Sequence, residues 1–120
     1  MTVRRLKTYT AQTGYVYDYY FVGKRPALPD DPLAPATEYV FDISSDRKTT
    51  YAVSVFLAPQ VVESFNASHG RTLSEPEQYA AAKLRLLQVL DEVPDMPNHG
   101  RRLTLDPATL SALLELVGID

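Results

Sequence analysis

The chain has 120 residues, no cysteine and a formal net charge of −3, which fits one ordinary globular domain spanning residues 1–120. The missing cysteines exclude thiol catalysis, disulfides, Cys-ligated zinc and iron–sulfur clusters. No apolar run approaches the ~20 residues of a membrane span, and Met1–Lys7 has positive charge with no apolar run behind it, so no secretory signal and a cytoplasmic location are expected.

Charge is unevenly spread. Arg4, Arg5, Lys7, Lys24 and Arg25 against Asp18 alone give residues 1–25 a charge of +4; seven basic and fourteen acidic residues give 26–120 a charge of −7. A basic end on an acidic body can steer an anionic partner, although the same charges also suit the outer face of two strands.

Residues 3–11 alternate weakly and end at the turn Gln12-Thr13-Gly14. Residues 15–23 are aromatic and β-branched, as strands prefer. Alternation puts Tyr15, Tyr17, Tyr19 and Phe21 on one face and Val16, Asp18, Tyr20 and Val22 on the other. The short connection predicts a hairpin. Lys24 to Ala36, with four prolines and Asp30-Asp31, reads as a loop of the length that is often functional or mobile. Thr37–Ile43 and Thr49–Leu57 alternate again around the polar turn Ser44–Lys48, which predicts a second hairpin.

The second half reads as helices. Pro59 suits the first turn of a short helix that stops at His69-Gly70. Ser74-Glu75-Pro76-Glu77 spells a capping box with proline in the first turn, opening a helix over about 75–92 that Pro94 and Pro97 end. Residues 101–105 suit a short strand, and Asp106-Pro107 opens a last, leucine-rich helix that Gly118 closes. The expected fold is α+β: a four-stranded antiparallel meander in the N-terminal half, covered on one face by two or three helices from the C-terminal half.

No catalytic, cofactor or metal signature stands out. Gly14-Tyr15-Val16-Tyr17 with Phe21-Val22-Gly23 resembles the paired tripeptides of the GIY-YIG nucleases over Gly14 to Gly23. The three-residue spacer is shorter than that family's, and its downstream arginine and glutamate have no clear counterpart, so no family is assigned. His69 and His99 are not spaced as a metal pair, and GxSxG, Walker A and GxGxxG patterns are missing. Asn66-Ala67-Ser68 matches a glycosylation acceptor that has no secretory route to use it.

The reading favoured by these features is a non-enzymatic binding module that takes a protein partner or a second copy of itself. Its expected contact residues are Arg4, Arg5, Tyr15, Tyr17, Tyr19, Arg25, Arg47 and Lys48, with no catalytic, cofactor-binding or metal-binding residue. The sheet edges, the Pro-rich loop and the 46–48 hairpin tip would be presented to the partner, and the last helix would suit a second copy. One alternative is a nucleic-acid-binding domain in which the tyrosine stripe stacks bases beside Arg4 and Arg5, with steeply salt-dependent binding. Against it, tyrosines beneath a long helix also serve as core. The other alternative is a small enzyme or ligand carrier with a cleft between sheet and helices.

Overall fold

A computed structural model describes residues 6–119. Strand β1 (Lys7–Thr10) turns through Gly14, whose φ of 93° favours glycine, into β2 (Val16–Pro26), and the two pair antiparallel, Tyr9 opposite Tyr17. The chain continues through β3 (Thr37–Ser44) and β4 (Tyr51–Leu57), each antiparallel to the strand before it. This is the expected meander. Two details differ from the sequence reading.

First, β2 does not stop at Gly23. A bulge at Val22 shifts the register between Phe21 and Gly23, and Lys24, Arg25 and Pro26 stay paired with Tyr39, Glu38 and Thr37. The bulge resets the alternation, so Lys24 and Arg25 continue the ladder although their sequence reads as loop. Second, the sheet has five strands in the order β1-β2-β3-β4-β5, because Arg102–Thr104 (β5) returns to lie parallel to β4, Val55 opposite Leu103.

Helix α1 (Pro59–His69) starts on proline and ends on Gly70, in the left-handed conformation at φ 64°. Helix α2 (Glu75–Glu92) opens on a complete capping box: the Ser74 hydroxyl accepts from the Glu77 N–H at 3.3 Å, and the Glu77 carboxylate accepts from the Ser74 N–H at 2.9 Å. Replacing Ser74 by alanine is therefore expected to cost about 1 kcal/mol. Thermal unfolding should show it as a drop of about 3–5 °C, while Thr72→Ala, at an exposed position just outside the cap, should leave the midpoint in place.

The Pro94–Pro97 stretch winds into a single turn, α3 (Met96–His99), which buries Met96. Helix α4 (Pro107–Leu116) is capped by the Asp106 carboxylate, which accepts from the Thr109 N–H at 2.7 Å.

The core sits between one face of the sheet and the helices. Tyr39, Phe41, Ile43, Val53 and Val55 from the sheet meet Phe65 of α1, Leu86 and Leu90 of α2, and Leu110 and Leu114 of α4, all buried in one cluster. The fold is α+β, with a mostly antiparallel sheet in the N-terminal half and the helices in the C-terminal half. No described helix is long and apolar enough to cross a membrane.

Candidate interaction surface

Because the helices all pack into the cluster formed by one side of the sheet, the other side is left to solvent and to the loops. Residues alternate across strands, so this outer face carries Thr8 from β1, Val16, Asp18 and Tyr20 from β2, Glu38, Val40, Asp42 and Ser44 from β3, Ala52, Ser54 and Phe56 from β4, and Arg102 from β5.

The face is organised by carboxylates that sequence alternation placed there but could not pair. Glu38 is buried and accepts from the Arg25 guanidinium at 3.0 Å and from the Ser54 hydroxyl at 2.6 Å. Asp18, also buried, accepts from Arg47 at 3.0 Å and from the Thr8 hydroxyl at 3.0 Å. Asp42 accepts from the Tyr20 hydroxyl at 2.6 Å. At the β5 end, Arg102 grips Asp31 at 2.6 and 2.8 Å and lays its guanidinium 4.8 Å from the centre of the Phe56 ring. The Arg25 hydrogen bond holds the Glu38 carboxyl below its ordinary range, with Ser54 assisting against the opposing effect of burial. Arg102 and the Leu33 N–H do the same for Asp31. Hydrogen bonding to the charged form is what lowers such carboxyls.

These pairs fix the two loops that flank the face at opposite ends. The Pro-rich loop, expected to be a freer element, is closed by the Ala27 N–H donating to the Ala36 carbonyl at 2.8 Å, and Asp31 pins it to β5. At the other end Asp46 accepts from the N–H groups of Lys48 and Thr49 at 2.8 and 2.9 Å, which pulls its carboxyl down to about 2. Arg47 takes a left-handed φ of 61° there, which aims its side chain back at Asp18.

The expected contact residues scatter accordingly. Arg25 and Arg47 lie on the outer face, each tied to a buried carboxylate. Lys48 is exposed at the hairpin tip and makes no ion pair among the described residues. Tyr15 is exposed in the turn just before β2. Tyr17 and Tyr19 are 2% and 5% exposed, so their rings belong to the core and cannot stack on a partner. The tyrosine stripe faces the helices because Phe41, Ile43 and Tyr51 share its side of the sheet. Arg4 and Arg5 lie outside the described residues.

Around the ion pairs the surface is apolar: Leu6, Val16 and Val22 are all exposed, and a cleft of about 220 Å³ opens at the bulge between Val22, Arg25 and Val40. β2 runs on past Tyr19, which pairs with Lys7, to Pro26, and Tyr20–Pro26 stays laddered to β3. No group of three or more His, Cys, Asp or Glu among the described residues is placed to hold a metal ion. No protein-family model, curated protein or solved structure matches this chain.

Proposed function

We propose that this chain is a non-enzymatic protein-binding module that docks its partner on the outer face of the sheet. The observation that carries this reading is the one-sided sheet: among the described residues no helix covers the outer face, yet its apolar residues Leu6, Val16 and Val22 are exposed. Apolar residues ringing organised polar pairs are the make-up of protein interfaces. The matched guanidinium–carboxylate pairs Arg25–Glu38, Arg47–Asp18 and Arg102–Asp31 leave the face close to neutral, which favours a protein over a phosphate backbone as partner.

The test is capture from native lysate, with and without nuclease, comparing the wild type with the double variant Val16→Glu, Val22→Glu. Both valines are 45% exposed, so the changes should leave the fold intact at a cost of about 1 kcal/mol or less. A nuclease-resistant partner that the double variant loses at least tenfold is the expected result. Equal capture by both proteins, or recovery that depends on nucleic acid, would remove the reading. Sedimentation of the purified chain identifies the partner as a second copy if it shows a dimer that the same variant abolishes.

A further inference from the structure

Beside the Ser44–Lys48 turn the outer face opens into a cavity of about 430 Å³ whose walls include Leu6, Thr8, Asp18, Arg47, Lys48 and Thr50. That volume falls within the ~300–1,000 Å³ of ligand sites. Asp18 is buried there, and each of its carboxylate oxygens is held: the Thr8 hydroxyl donates to one and the Arg47 Nε–H to the other, both at 3.0 Å. Arg47 is thereby fixed by one edge of its guanidinium. Its side chain is otherwise 76% exposed, and among the described residues its two Nη groups have no hydrogen-bond partner.

The backbone of Arg47 has the left-handed φ of 61°, a conformation that glycine adopts more cheaply. Strain kept at a residue whose side chain lines a cavity points to a functional role. Lys48, next in the chain, adds an ammonium that has no ion pair among the described residues. Asp46 does not line the cavity: its carboxylate accepts from the Lys48 and Thr49 N–H groups and from the Thr49 hydroxyl, at 2.8, 2.9 and 3.1 Å, inside the turn. The cavity walls therefore set two cations, Arg47 and Lys48, against the single carboxylate of Asp18. We infer that this cavity is the socket for a carboxylate of the docked partner, an aspartate or glutamate side chain gripped by the Arg47 Nη groups and the Lys48 ammonium, with the Thr50 hydroxyl as a further donor.

The inference rests on the docking face proposed above and names the chemistry of what docks there. A guanidinium offers a planar fork of N–H groups that matches a carboxylate, and such charge-assisted bonds are the strong ones. One surplus positive charge is balanced by one carboxylate, whereas a phosphate group carries close to two negative charges at neutral pH. The surroundings also suit a protein side chain. Leu6 forms part of the wall, and the exposed Val16 lies two residues from Asp18 on the same face of β2, ~7 Å along the strand. An acidic residue flanked by apolar ones is the complementary segment.

The experiment titrates the purified full chain with the blocked tripeptide acetyl-Val-Glu-Val-amide, with its glutamine counterpart and with inorganic phosphate, following amide shifts by NMR. Saturable binding of the glutamate peptide is expected, with shifts centred on Asp18, Arg47, Lys48 and Thr50, and roughly fivefold or more weaker binding of the glutamine peptide. Lys48→Met and Arg47→Gly should each weaken the glutamate peptide by a similar factor. Glycine suits the left-handed turn, and pairing Arg47→Gly with Asp18→Asn keeps a buried carboxylate from being left without its arginine. Arg85→Met removes a positive charge from α2, where the side chain bonds the Thr104 carbonyl, and should change nothing. Glutamine peptide held as tightly as glutamate, phosphate held more tightly than either, or Lys48→Met binding like the wild type would overturn the assignment. The docking face is judged separately in lysate: a partner lost by the Val16→Glu, Val22→Glu protein but captured undiminished by Lys48→Met keeps that face and removes the carboxylate socket.

Discussion

Phe41→Ala is expected to cost about 3–5 kcal/mol, the range for truncating a fully buried aromatic. Phe41 is 0% exposed in the central strand β3, its ring 5.3 Å from that of Phe21 and 6.2 Å from that of Tyr79 between centroids. Removing it leaves a void that Phe21, Tyr39 and Tyr79 cannot close together, because each is also packed against the others. A domain of this size has about 5–15 kcal/mol in total, so the loss takes a large share. Urea unfolding should show the midpoint falling at constant slope, and the melting temperature should drop by roughly 10–20 °C. A loss under about 1 kcal/mol would mean that the aromatic layer between β2, β3 and α2 is not packed as described.

Glu38→Gln acts through charge rather than volume. The substitution keeps the shape but exchanges a carboxylate held by Arg25 and Ser54 for a neutral amide. Hydrogen bonds to a charged group are worth about 1.5–3 kcal/mol. Because the Arg25 side chain is 65% exposed, a cost near the lower end, about 1–2 kcal/mol at pH 7, is expected. The pH dependence gives the sharper check. The folded Glu38 carboxyl sits below its ordinary range because of the Arg25 hydrogen bond. Its contribution is therefore complete above the unfolded carboxyl range and lost as pH falls through the lowered folded value. Wild type and variant should differ most at neutral pH and converge under acid, since the protonated glutamate no longer pairs with Arg25. Unfolding curves at pH 7 and pH 3 that keep a constant gap would show that the carboxylate charge is not what the outer face uses.

The sequence reading succeeds where signals are local. The Ser74–Glu77 capping box and the Asp106-Pro107 start spell out their helices, since the partner groups lie within one turn. Both hairpins follow from alternation with short polar turns. The extension of β2 to Pro26 was not legible: the bulge at Val22 resets the period of two, and Lys24-Arg25-Pro26 then carries no strand signal of its own. The parallel pairing of β5 was not legible either, because nothing near Arg102 states that it returns to Ser54.

For the candidate surface, alternation puts Asp18 on one face of β2 and Glu38 on one face of β3. It does not give the register that sets Arg25 against Glu38, nor the turn that swings Arg47 back to Asp18. The tyrosine stripe shows the limit most clearly. The sequence groups Tyr15, Tyr17, Tyr19 and Phe21 on one face, but which side meets the helices depends on Phe41 and Ile43, supplied by a strand beyond the Pro-rich loop.

The late return of β5 bears on how the molecule is made. The meander β1 to β4 emerges from the ribosome as a run of neighbours, each strand able to pair with the one before it. The far edge of β4, with Ser54 and Phe56 facing outward, stays bare until three helices have been synthesised and Arg102–Thr104 arrives to cover it. Such non-local pairing forms slowly. The nascent chain therefore passes through a stage in which the strand that ends up inside the sheet is its most reactive border. Arg102, which closes over Phe56 and clasps Asp31, is the residue whose arrival ends that exposure.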